Sequence, residues 1–307
     1  MGRVSLGSGR TVGTVVAVTS TVRAAVVAGL DGSPESAAAV DLAAWEAVRR
    51  GAPLRLVHAN RPAPPRRAAV FVPGATQPRR ERWDPVRTQA ARVRRRFGAD
   101  LPIELVVTQG DPGAILVDES RAAALVVLGW RGADSLYSPL LGSVAARVAA
   151  HAHAPAILVR PAPSRPAPSG VVVGVTGSPS AAAAVDFAFE EAAARGGGLT
   201  AVYAWAGGAP DLVTAQRDAE RLLSEAVAGW ADKYPAVDLV CRAVPSLNPL
   251  RVLLEEGGCA ELIVVGAPRR GGFSNVLLGS VTDGLVHHAH APVAVVPAEQ
   301  PGLSAIA

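Results

Sequence analysis

Short apolar runs alternate with longer amphipathic stretches along this chain, and the whole series occurs twice. The first series holds "AAVVAGL" at 24–30, "PLRLVHAN" at 53–60, "PIELVVTQG" at 102–110, "AALVVLG" at 123–129 and "PAILVRP" at 155–161. Each run has strand length and is rich in Val, Leu and Ile, the composition of strands buried on both faces. Helical patterns lie between them. Ser33 is placed to cap the first helix, Pro34 suits its first turn, and Gly51 ends it. Further helices are expected over 84–98, over 111–122 from an Asp-Pro start, and over 143–154. The segment 61–83, "RPAPPRRAAVFVPGATQPRRERW", carries too many breakers for regular structure and reads as a loop.

The second series repeats this order. Its strands are "GVVVGVTG" at 170–177, "LTAVYAW" at 199–205, "VDLVCRAV" at 237–244, "AELIVVG" at 260–266 and "APVAVVP" at 291–297. Val27 to Leu30 align with Val172 to Val175, and "HAHAP" stands at both 151–155 and 288–292. Between the copies lies Arg-Pro-Ala-Pro-Ser twice over, a proline-stiffened spacer. The expected organisation is an N-terminal tail at 1–22, taken as flexible, a first domain at 23–161, a linker at 162–169 and a second domain at 170–298. Strands alternating with helices define an α/β class. Each half is a doubly wound, five-stranded parallel sheet with helices on both faces. The fifth strand of each half, "AILV" or "VAVV", is left as an apolar edge, which invites pairing.

Composition changes this picture little. No apolar run reaches the eighteen residues a bilayer span needs. The patch Val12 to Val18 is too diluted by Gly and Thr for a secretory h-region, so a cytoplasmic location is expected. Cys241 and Cys259 form no disulfide framework or zinc pattern and read as ordinary buried thiols. Charge is uneven. Residues 1–165 hold 22 Arg against 12 acids, whereas 166–307 hold 7 Arg and one Lys against 14. The arginines of 66–96 lack interleaved aromatics, so they are read as a solvated face, or one turned toward the acidic half, and not as a nucleic-acid surface. The pairs His151/His153 and His288/His290 fall at helix ends, where alternate residues share no face, so no metal site is expected.

The chemistry concentrates after the fourth strand of each half. "GWRGADSLYSPLLGS" at 129–143 returns as "GAPRRGGFSNVLLGS" at 266–280. Gly129 closes a strand at the carboxyl edge of the sheet, where such folds bind ligands. Gly142 and Ser143 open the next helix, whose bare N–H groups and partial positive charge suit phosphate. Glycine admits close approach and positive φ, Ser143 adds a hydroxyl, and Arg131 adds charge. No Gly-Lys-Ser/Thr is present and the frame follows strand four, so this is neither a P-loop nor a dinucleotide fingerprint.

The spacing Gly129, Gly132, Gly142, Ser143, together with the opening "GLDGSPES" at 29–36, resembles the universal stress protein family in its tandem form. The resemblance spans nearly the whole chain. It implies an adenine nucleotide alpha hydrolase-like fold and an internal pseudo-dimer joined through the fifth strands. It implies ATP as ligand, with Mg at Asp31. Gly29 and Ala59 would lie at the adenine side, with Arg131 and Val144 beside the phosphates. It also implies further association with protein partners or a second copy, and a regulatory role under hypoxia, starvation or dormancy. In the second half Gly174, Gly266, Gly279 and Ser280 keep the pattern, but Thr176 stands where the first half has Asp31, and Arg269 where it has Gly132. That site is therefore either blocked or supplied with a phosphate-binding guanidinium. No nucleophile elbow is present, so no enzyme is expected beyond weak ATP hydrolysis. The alternatives are a scaffold of the same fold that binds no nucleotide, and a slow ATP-hydrolysing enzyme.

Overall fold

The computed structural model describes residues 23–60, 79–132, 141–160, 170–177, 180–206, 211–267 and 279–298. The first half runs β1 (Ala25–Gly29), α1 (Pro34–Arg50), β2 (Leu54–Asn60), α2 (Arg79–Phe97), β3 (Ile103–Gln109), α3 (Pro112–Glu119), β4 (Ala123–Gly129), α4 (Ser143–His151) and β5 (Ala156–Val159). The second runs β6 (Val171–Gly174), α5 (Ser180–Arg195), β7 (Leu199–Trp205), α6 (Leu212–Lys233), β8 (Leu239–Pro245), α7 (Pro249–Glu256), β9 (Leu262–Gly266), α8 (Ser280–His288) and β10 (Val293–Val296).

The ten strands form one sheet in the order β3-β2-β1-β4-β5-β10-β9-β6-β7-β8. All pairings are parallel except the central one, where β5 meets β10 antiparallel with Ile157 opposite Ala294. The two apolar edges thus cover each other, and the halves are related by an approximate twofold axis through that pair. The sheet carries two cores. One lies under α1, α2, α5 and α6, and the other under α3, α4, α7 and α8. Alternate strand residues serve opposite cores: Val26 and Ala28 face the first, and Val27 the second.

Local chemistry explains the element ends. The Ser33 side chain accepts from the Ser36 N–H, Pro34 occupies the first turn, and Gly51 closes α1 at φ 58°. Asp111 caps α3 in the same way. One boundary differs from the sequence reading. Helix α2 starts at Arg79, so the last five residues of the expected loop are helical. "RRERW" contains no breaker, and Pro85 sits inside the helix.

Two further expectations are corrected. Cys241 and Cys259 are exposed, because β8 is an outer strand and Cys259 sits in the turn after α7. Two α2 arginines do not turn to the acidic half. Arg92 and Arg96 both pair with Asp41 of α1, within their own half. The two halves instead meet through a buried ion cluster. Glu46 and Glu191 are fully buried at equivalent positions of α1 and α5. Each pairs with the arginine four residues on, Arg50 or Arg195, and with the other half's: Arg50 reaches Glu191 and Arg195 reaches Glu46. Arg49 binds both glutamates. The N-terminal tail, the 162–169 linker and most of the 61–83 loop lie outside the described residues.

Candidate functional site

Strand order reverses between β1 and β4 in the first half and between β6 and β9 in the second. A doubly wound sheet opens a crevice at such points, beyond the strands' carboxyl ends. The residues singled out in the sequence converge there. Asp31 follows β1, and its Oδ1 accepts from the Ser33 N–H at 2.9 Å. Its Oδ2 faces Gly132, across from the end of β4: a Cβ built on Gly132 would lie 2.5 Å from that oxygen. The Leu30 carbonyl just before Asp31 is held by His58 Nδ1 at 2.8 Å, and His58 Nε2 lies 3.1 Å from Asn60 Oδ1.

The glycines are required by close approach and not by dihedral angle. None of Gly129, Gly132 or Gly142 has a positive φ, which corrects one half of the sequence argument. A Cβ on Gly129 would meet the Glu35 carbonyl carbon at 2.9 Å and the Ser36 nitrogen at 3.0 Å, because the start of α1 packs directly on this point. Gly29 is packed against Leu128 and Leu116.

The loop after β4 is tied at its base. The Gly142 N–H donates to the Trp130 carbonyl at 3.0 Å, and the Trp130 N–H to Val159 at 2.9 Å. Gly142 then opens α4. Glycine has no capping side chain, and no side-chain cap is formed. The first helical bond runs from the Ala146 N–H to the Gly142 carbonyl. The amides of Ser143, Val144 and Ala145 therefore precede the helical ladder, at its positive end. Helices α1, α3, α6 and α7 have side-chain caps, whereas α4 and α8, which follow the two glycine frames, do not.

Positive charge flanks this loop. The Arg131 and Arg160 guanidiniums both lie over the Trp130 ring, 3.9 and 3.7 Å from its centroid. Burial, and then the neighbouring Arg131 charge, lower the Arg160 pKa. Arg160 also donates to the Val286 and His287 carbonyls at the end of α8.

The second half holds a half-open cavity of about 430 Å3 at the equivalent place. Gly174 and Thr176 form its β6 side, Gly266 its β9 side, and Gly279, Ser280 and Val281 its helical side. Ala204, the repeat partner of Ala59, contributes a wall at the end of β7. Leu253 and Val265, the partners of Leu116 and Leu128, complete it. Arg269 lies outside the described residues. Among the described residues no three potential metal ligands converge, and no helix is long and apolar enough to cross a membrane. His151 and His288 end α4 and α8, and His153 and His290 lie beyond them.

Sequence reasoning missed His58, Trp130, Arg160 and His287. A signal existed for the last. The copies read "AHAHAP" from Ala150 and "HHAHAP" from His287, so one copy alone has a histidine at that position.

Fold and site together define a tandem α/β protein with one crevice per half at the strand-order reversal. The chain belongs to the universal stress protein family, whose model matches residues 24–160 and 170–297. A universal stress protein of Mycobacterium tuberculosis is 34% identical over 309 residues, covering 88% of this chain and 94% of the relative. One from Mycolicibacterium smegmatis is 34% identical over 293 residues, covering 91% and 99%. Among solved structures, a universal stress protein from Archaeoglobus fulgidus superposes with a TM-score of 0.67 at 18% identity. It covers 90% of this chain and 97% of that one, a likeness of fold.

Proposed function

We propose that this universal stress protein binds ATP with Mg, chiefly in its first half, and that the bound state regulates its association with other proteins. The observation carrying this reading is the convergence of Asp31 with the glycine-capped start of α4 at the β1/β4 reversal. Phosphate is favoured at bare amides on a helix start. Ser143, Val144 and the Ser143 hydroxyl would hold phosphate oxygens, with Arg131 adding charge. Gly129 and Gly132 keep the approach open, and Gly29 and Ala59 stand on the adenine side. Asp31 would hold the ribose or the Mg, which would screen the phosphates when bound. The sequence carries no nucleophile elbow, which supports binding more than turnover.

The second half has the cavity but Thr176 in place of the carboxylate. It is therefore the weaker site for a magnesium-bound triphosphate. Thermal unfolding with and without Mg-ATP tests the proposal. Ligand at a hundred times its dissociation constant adds about 2.7 kcal/mol. A clear upward shift, reduced in Asp31→Ala, is expected. No shift at millimolar ATP and no co-purifying nucleotide would leave the nucleotide-free scaffold. Turnover above background that is lost in Asp31→Ala would instead make the protein an ATP-hydrolysing enzyme.

A further inference from the structure

The end of the first-half loop is held by a residue of the second half. The Leu141 N–H, directly before the glycine that opens α4, donates to His287 Nε2 of α8 at 3.0 Å. On its other side, His287 Nδ1 lies 2.8 Å from the Asp283 carbonyl. Nε2 accepts a hydrogen bond from an amide, so it carries no proton of its own. The ring is then neutral, with its proton on Nδ1 and directed to Asp283. Arg160, which follows β5 of the first half, donates to the His287 and Val286 carbonyls and fixes the same turn of α8.

This clasp runs one way. The repeat equivalents of His287 and Trp130 are Ala150 and Ala267, and that of Arg160 is Pro297. None of the three can copy the interaction. The second half therefore braces the end of the first-half loop, and Ala150 offers no side-chain acceptor in return. We infer that His287 is a positioning residue for the first-half nucleotide site, supplied in cis by the second half and active only while its imidazole is neutral. This rests on the proposal that the first half binds ATP.

The chemistry of the dependence is specific. Protonation would put a hydrogen on Nε2, facing the Leu141 N–H, and the bond would be lost. The charged groups around the ring among the described residues are Asp283, with Oδ1 3.7 Å from Nδ1, His288, with ring centroids 6.3 Å apart, and Arg160 at the carbonyl. A protonated ring cannot accept from Leu141, so acidification that charges His287 should weaken the brace.

The test is calorimetric titration of Mg-ATP into the full chain, as wild type, His287→Ala and His287→Gln, at about pH 8 and about pH 5.5. Glutamine can place an amide oxygen near the Nε2 position and accept from Leu141 at either pH. One hydrogen bond corresponds to roughly two- to tenfold in affinity. At the higher pH, His287→Ala should bind that much more weakly, and His287→Gln should hold near wild type. At the lower pH, wild type should fall below His287→Gln. Every group other than residue 287 is the same in all three proteins, so the difference between variants isolates His287. Equal affinities and parallel pH profiles in all three would overturn this inference alone. Absence of ATP binding by wild type at either pH would overturn the nucleotide reading and this inference with it.

Discussion

At the residue scale, the glycines of one motif do different jobs, and substitution separates them. Gly129 has the backbone of α1 against it, with nowhere for a methyl to go. Gly129→Ala should destabilise by about 1–3 kcal/mol, the usual range for forcing extra volume into a packed site, as read by urea unfolding. Among the described residues, Gly132 faces the end of the Asp31 side chain. Gly132→Ala should leave stability within about 0.5 kcal/mol, yet weaken nucleotide binding by turning Asp31 aside. Equal stability losses in the two variants would show that both glycines are packing devices. The spacing of this motif was legible in the sequence. Its reason was not, because close approach depends on which backbone lies opposite, and the sequence offers turn conformation as an equally good explanation.

At the element scale, most boundaries were readable because their chemistry is local. Ser33 with Pro34, Asp111 with Pro112, and Gly51 each act within one helical turn. Ser33→Ala should cost about 1 kcal/mol. Asp31 accepts from the Ser33 backbone N–H, which alanine retains, so Mg-ATP binding should stay near wild type. Thermal melts with and without ligand check both parts. What was hidden depends on contact between distant segments. The Glu46 and Glu191 positions look like solvated helix faces in sequence, and only the packing of α1 and α5 across the molecule buries them. His287 was hidden in the same way. The repeat "HAHAP" drew attention to the histidines that both copies share, whereas the contact with Leu141 is made by the one they do not.

At the scale of the whole molecule, the edge strands of the two repeats pair with each other as an internal joint. The antiparallel β5–β10 pair is buried along its full length, and the ion cluster crosses the same axis. Removing one buried partner leaves a charge without compensation, so Glu191→Ala should cost about 3–5 kcal/mol in thermal or chemical unfolding. A loss below about 1 kcal/mol, the range of exposed pairs, would show that the cluster is solvated in practice. The joint leaves the halves unequal, since Asp31, Gly132 and the brace from His287 all favour the first site. The most direct measurement is a calorimetric titration of Mg-ATP into the wild type and into Gly132→Arg, which writes the second half's residue into the first. The account predicts saturable binding by the wild type that Gly132→Arg abolishes or reduces to a weak remainder. Undiminished binding in that variant, or none in the wild type, would contradict it.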